Sequence, residues 1–121
     1  MTTARLRFLQ ATLIKRYGVL GRVAALYAGA GLHVRVNHPT RHGPVHIIAS
    51  GGGQRLAVEV YNAPAPAPPS VVESLAAKAS LLKAKPVLVL YGDAGIAPEA
   101  AELARKLGVK IKRVRAHAQR T

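Results

Sequence analysis

Three side chains within His42-Gly-Pro-Val-His46-Ile-Ile-Ala-Ser50-Gly-Gly-Gly-Gln-Arg55-Leu-Ala-Val-Glu59-Val-Tyr61 could do chemistry: the His46 imidazole, the Glu59 carboxylate and the Tyr61 phenol. Glu59 and Tyr61 stand two apart, so a strand places them on one face. Histidine and tyrosine can move protons, and a carboxylate can hold a cation or orient water. Hydrolysis assisted by magnesium asks for more hard oxygen ligands than one carboxylate supplies. No resident metal or cofactor is therefore expected. His38, His42 and His46 are spaced by four, but Pro39, Gly43 and Pro44 forbid the helix that would align them as zinc ligands. Gly51, Gly52 and Gly53 lack the Gly-Lys-Ser/Thr ending of a phosphate-binding loop and read as a hairpin turn.

These residues need a scaffold. Leu6, Leu9, Leu13, Ile14 and Tyr17 recur at helical spacing, continued by Val23, Ala24, Leu26 and Tyr27, which predicts a helix over 4–29 with a break near Gly18. Residues 32–36 alternate apolar with basic and predict a strand whose outward residues are His33 and Arg35. Strands at 45–49 and 55–61 around the glycine turn complete a meander. The prolines of 62–69 exclude a central strand or helix and make a stiff connector. Ser70 and Glu73 read as a capping box for a helix to about residue 83. The apolar run 86–91 suits a strand buried on both faces. Pro98, Glu99, Glu102, Arg105, Lys106 and Gly108 carry the start, charge order and stop of another helix, and 109–114 closes as a strand. The expected order is αβββαβαβ, an α/β chain with a mixed sheet flanked by helices. One domain over 1–121 is expected, with 116–121 a frayed tail.

Composition limits the partners. The 121 residues carry 18 Lys+Arg against 5 Asp+Glu, a formal net charge of +13, and no acid precedes Glu59. Such clustering favours a polyanion, and nucleic acid, DNA first, is expected over a membrane surface. There are no cysteines, so disulfides and thiolate zinc sites are excluded. Neither a signal peptide nor an apolar run of about 18 residues is visible, so a soluble, cytoplasmic protein is expected. The Ala- and Arg-rich composition with one Met suits a thermophile.

The element order, the Gly-Pro-Val-His-Ile-Ile-Ala strand, the glycine turn, the Leu-Ala-Val-Glu-Val strand and the closing Ala-Glu-Leu-Ala-Arg-Lys-Leu-Gly-Val-Lys-Ile resemble the PD-(D/E)XK nuclease superfamily over about residues 18–114. The nearest flavour is the archaeal Holliday junction resolvase and related restriction-endonuclease-like proteins. The resemblance implies that His46 stands at the motif aspartate, Glu59 at the acid and Tyr61 at the lysine, with Arg22 near a further acid of the first helix. Only Glu59 matches, so the motif is degenerate.

The reading that follows is a nucleic-acid-binding protein that does not cut, holding DNA or structured RNA by phosphate through Arg35, Arg41, Arg55, Lys110, Lys112 and Arg113. Glu59 could equally pair with Arg55 or Arg35. Three alternatives differ in class. One is a magnesium-dependent endonuclease or resolvase using Glu59. Another is a metal-independent ribonuclease with His46 as base, Tyr61 and a nearby lysine, resembling the tRNA-splicing endonuclease. The last is a non-catalytic subunit that docks through its apolar N-terminal helix on an active nuclease or another protein, or pairs as a homodimer. The four tyrosines are too few and too apolar in context for a stacking platform.

Overall fold

A computed structural model of the protein describes residues 3–115, so the expected tail at 116–121 lies outside them. Two helices, α1 (Ala4–Tyr17) and α2 (Val19–Gly29), precede a meander of β1 (His33–His38), β2 (Val45–Gly51) and β3 (Gln54–Tyr61). Then α3 (Pro69–Leu82), β4 (Lys85–Tyr91), α4 (Pro98–Leu107) and β5 (Lys110–Val114) follow. The break expected near Gly18 makes two helices of the stretch 4–29: Gly18 takes a positive φ of 59°, which glycine adopts without strain, and its N–H closes α1 on the Ile14 carbonyl. The chain then folds back, and Gly21 meets the backbone of Leu13 so closely that a Cβ would lie 1.9 Å from the Leu13 carbonyl oxygen.

The sheet runs β1-β2-β3-β4-β5. β1, β2 and β3 are antiparallel, while β3, β4 and β5 are parallel, each crossover being a helix. Gly52 and Gly53 have φ 59° and 81°, as the tight primed hairpin turns require, and Gly51 pairs with Gln54.

The capping box expected at Ser70 does not form. α3 begins one residue earlier, with Pro69 as a first-turn residue and Pro68 at the cap, and no side chain caps it. A proline already fixes the helical φ and has no N–H to satisfy, so the serine is not needed there. The connector is pinned to the loop before α4, where the Ala67 N–H donates to the Gly95 carbonyl and the Ala97 N–H to that of Ala67. α4 does start at Pro98 and stop at Gly108, with Glu99 and Arg105–Lys106 at the ends that complement its dipole.

Alternation along the strands divides the core. Ile47, Ala49, Val58, Val60, Val87 and Val89 face the α1–α2 hairpin with Leu13, Val23, Ala24 and Tyr27. Ile48, Ala57, Leu88 and Leu90 face α3 and α4 with Val72, Leu75, Ala79, Ala100 and Ala104. β4 is buried throughout from Val87 to Tyr91, as its continuous apolar run required. No helix among the described residues is long and apolar enough to cross a membrane.

Candidate functional site

The candidate chemical residues gather on the α3 face, though not in the expected pairs. Regular β2–β3 pairing ends at Ile47 and Val58, and beyond it the His46 ring enters the gap. There the Val60 N–H donates to His46 Nδ1 at 3.0 Å, replacing the lost ladder bond. An acceptor Nδ1 leaves the ring proton on Nε2, which lies 3.2 Å from Glu59 Oε2. Both nitrogens of His46 are thus engaged.

Glu59 projects under α3, and its partner there is a residue without any motif: Lys78. Val72, Leu75 and Ala79 form the buried stripe of α3, and Lys78 lies beside them at only 7% exposure. Its stem runs through the core and its ammonium donates to the Pro44 carbonyl at 2.9 Å. The same nitrogen stands 3.8 Å from Glu59 Oε1, a buried oxygen with no hydrogen-bond donor. The expected pairing of Glu59 with Arg55 or Arg35 is therefore corrected. Arg55 donates instead to the Leu82 carbonyl at the end of α3, at 3.0 Å. The Tyr61 hydroxyl donates to the Ala65 carbonyl at 2.7 Å and fixes the start of the connector.

This set does not fit the divalent metal that the resemblance implies. It offers one carboxylate flanked by an ammonium, a carbonyl already taken by that ammonium, and an imidazole whose acceptor is spent. Among the described residues no group of three or more His, Cys, Asp or Glu side chains gathers. Burial pushes the Glu59 carboxyl above the ordinary carboxylate range, and His46 and Lys78 pull it back only in part. A carboxyl raised by folding favours the fold when protonated, and that contribution is lost as pH rises through its folded pKa. Glu59→Gln, neutral at every pH, is expected to be at least as stable as the parent near neutrality, the two converging in acid. Urea melts across that range check it, and a variant that is clearly less stable near neutrality contradicts it.

Beside this cluster on the same face lies a groove of about 390 Å³ lined by His33, Arg35, His38, Ile48, Ser50, Arg55 and Leu82. Register explains it: His33, Ser50 and Arg55 are direct neighbours across three strands, and Arg35 pairs with Ile48. Asn37, at φ 56°, twists the end of β1 so that His38 joins the groove. No acid lines it. Arg41 is exposed in the loop between β1 and β2. Lys110 and Lys112 are elsewhere: they pair with Val87 and Val89 and so belong to the opposite face, at the far edge. Arg113 shares the α3 face but sits at the β5 edge and donates to the Gly92 carbonyl. The six expected phosphate ligands therefore divide between two faces, and Arg35 and Arg55 are brought together.

A five-stranded mixed sheet with helices on both faces matches the restriction-endonuclease-like fold. Among solved structures the chain is similar to EndoMS in its complex with double-stranded DNA, with a TM-score of 0.61 and 14% identity over 98% of this chain and 48% of that one. It is similar as well to AF1548, a protein of unknown function, with a TM-score of 0.61 and 17% identity over 75% of this chain and 54% of that one. The chain thus spans about half the length of either structure. No protein-family model and no curated protein matches it.

Proposed function

We propose that the protein binds nucleic acid, DNA first, through phosphates along the α3-side groove, and that its former cleavage position is an internally neutralised cluster that does not cut. The observation that carries the reading is the continuity of one face: a cationic groove containing Arg35 and Arg55 abuts, at Ile48, a site where Lys78 occupies the space beside the lone carboxylate. Similarity of fold to a nuclease seen on double-stranded DNA supports the same partner. Lys78 supplies from within the chain the positive charge that a metal would bring, and His46 has no free nitrogen with which to act as a base. Guanidinium groups carried on strands suit phosphate oxygens and favour recognition of backbone over bases.

The test is a titration of duplex DNA at several salt concentrations. About four phosphate contacts predict a loss of roughly 100-fold in affinity between about 50 and 200 mM salt. Arg35→Glu combined with Arg55→Glu should weaken binding further and flatten the salt dependence by roughly two contacts. Affinity that ignores salt and both arginines would remove the groove from the interface. Cleavage with magnesium or manganese that vanishes in Glu59→Ala would overturn the non-catalytic reading.

A further inference from the structure

The opposite face carries a second cationic site of different character. α2 packs over β1 and β2, and beside Tyr27 of that helix, over the starts of β3, β4 and β5, a cleft of about 600 Å³ opens. Its floor is made by Leu56, Val87, Pro86 and the Tyr27 ring. Lys85, Lys110 and Lys112 rim it. The register puts all three lysines on one face: Lys110 and Lys112 alternate along β5, and Lys85 lies two residues before Val87, the partner of Lys110. Their Cα atoms are therefore spaced roughly 7–8 Å apart on an arc. Lys112 stands 5.3 Å from the centre of the Tyr27 ring, a cation–π contact that holds it over the cleft. Gln54 supplies an amide at the mouth, both donor and acceptor.

We propose that this cleft binds a nucleoside di- or triphosphate, or the phosphorylated end of a strand, with the planar base on the apolar floor and the phosphates along the three lysines. The volume falls within the range of small-ligand sites, which combine an apolar lining with a few placed polar groups. Three compact point charges on an arc suit a run of phosphates better than a single planar carboxylate, which arginine would meet bidentately. Among the described residues no acid lines the cleft to oppose an anion. Tyr27, Leu56, Pro86 and Val87 make this lining more apolar than that of the α3-side groove, where Ile48 and Leu82 stand among arginine and histidine side chains.

Calorimetric titration with ATP, adenosine and tripolyphosphate tests it. ATP is expected to bind at least tenfold more tightly than either fragment, and Lys110→Ala combined with Lys112→Ala to weaken ATP at least tenfold while lowering the thermal melt by no more than a few degrees, the share of the Lys112–Tyr27 contact. Amide shifts on adding ATP should centre on Leu56, Val87 and Lys110. Displacement of ATP by a 5′-phosphorylated single-stranded oligonucleotide would assign the site to a strand end, and lack of displacement to the free nucleotide, both within the proposed class. Tripolyphosphate binding as tightly as ATP, an unaffected lysine variant, or shifts centred on Arg35 and Arg55 would overturn the proposal.

Discussion

Lys78→Ala is expected to destabilise the protein by about 3–5 kcal/mol near neutral pH, the cost of stripping one partner from a buried ion pair. Lys78 is 7% exposed and Glu59 lies beneath the same helix, so water cannot easily replace the ammonium. The Pro44 carbonyl would lose its donor as well. The sign of the pH dependence identifies the cause. Glu59 is already pushed upward by burial, and without Lys78 it is pushed further. The deficit should therefore shrink as pH falls and the carboxyl takes a proton. Lys78→Met, which keeps the apolar stem, should share that pH dependence with a smaller loss, and adding Glu59→Gln to it should restore much of the difference. Urea denaturation midpoints across pH measure all of this. A Lys78→Ala deficit that stays constant from acid to neutral pH would assign the loss to packing.

Gly21→Ala should be the second large effect, although nothing chemical is touched. The α1–α2 hairpin closes on Gly21, where a methyl would lie 1.9 Å from a backbone oxygen of Leu13 and 2.9 Å from the Ile14 Cα. Backbone cannot rotate away as a side chain can, so the helices must separate, with Leu13 losing part of its burial. Overpacking typically costs about 1–3 kcal/mol and more against backbone, offset by roughly 1 kcal/mol of helix propensity. A net loss of about 2 kcal/mol or more is expected, a fall in Tm of roughly 10 °C for a chain of this size. Gly95→Ala is the control: no atom lies within 4 Å of its added Cβ, and its melt should hardly move. Equal melts for the two variants would mean that the hairpin is looser than its geometry.

Much of the fold was legible because its signals are local. Glycines 52 and 53 set a hairpin, Pro98 and Gly108 bound a helix, and the run Val87 to Tyr91 is buried on both sides as its composition demands. The break at Gly18 shows in the sequence, but one glycine inside a long apolar stripe does not say whether the helix bends or turns back. The site is less legible. His46 and Glu59 stand out by residue type, but their meaning depends on Lys78, nineteen positions after Glu59 and without motif. The one trace of it in the sequence was its position, three after Leu75 and next to Ala79, where α3 needs a buried side chain. Ser70 misled because side-chain chemistry at a helix start competes with backbone preference, and the two prolines before it won. Lys110 and Arg113 seemed equivalent as charges, yet strand alternation sends them to opposite faces.

The sheet carries its strands in the order in which the chain makes them, from β1 to β5 without a jump. Each strand can therefore be added to the edge left by the one before it, and no strand must be inserted between two already joined. Loop closure is confined to short hairpins and single helical crossovers, the economical end of contact order for a sheet protein. Assembly can then follow synthesis, with α1 to β3 forming an antiparallel unit before the helices of the parallel half emerge. In that unit Glu59 has only His46 for a partner, and the arrival of α3 brings Lys78. Capture of that lysine is thus a late, recognisable step, and its loss should chiefly accelerate unfolding.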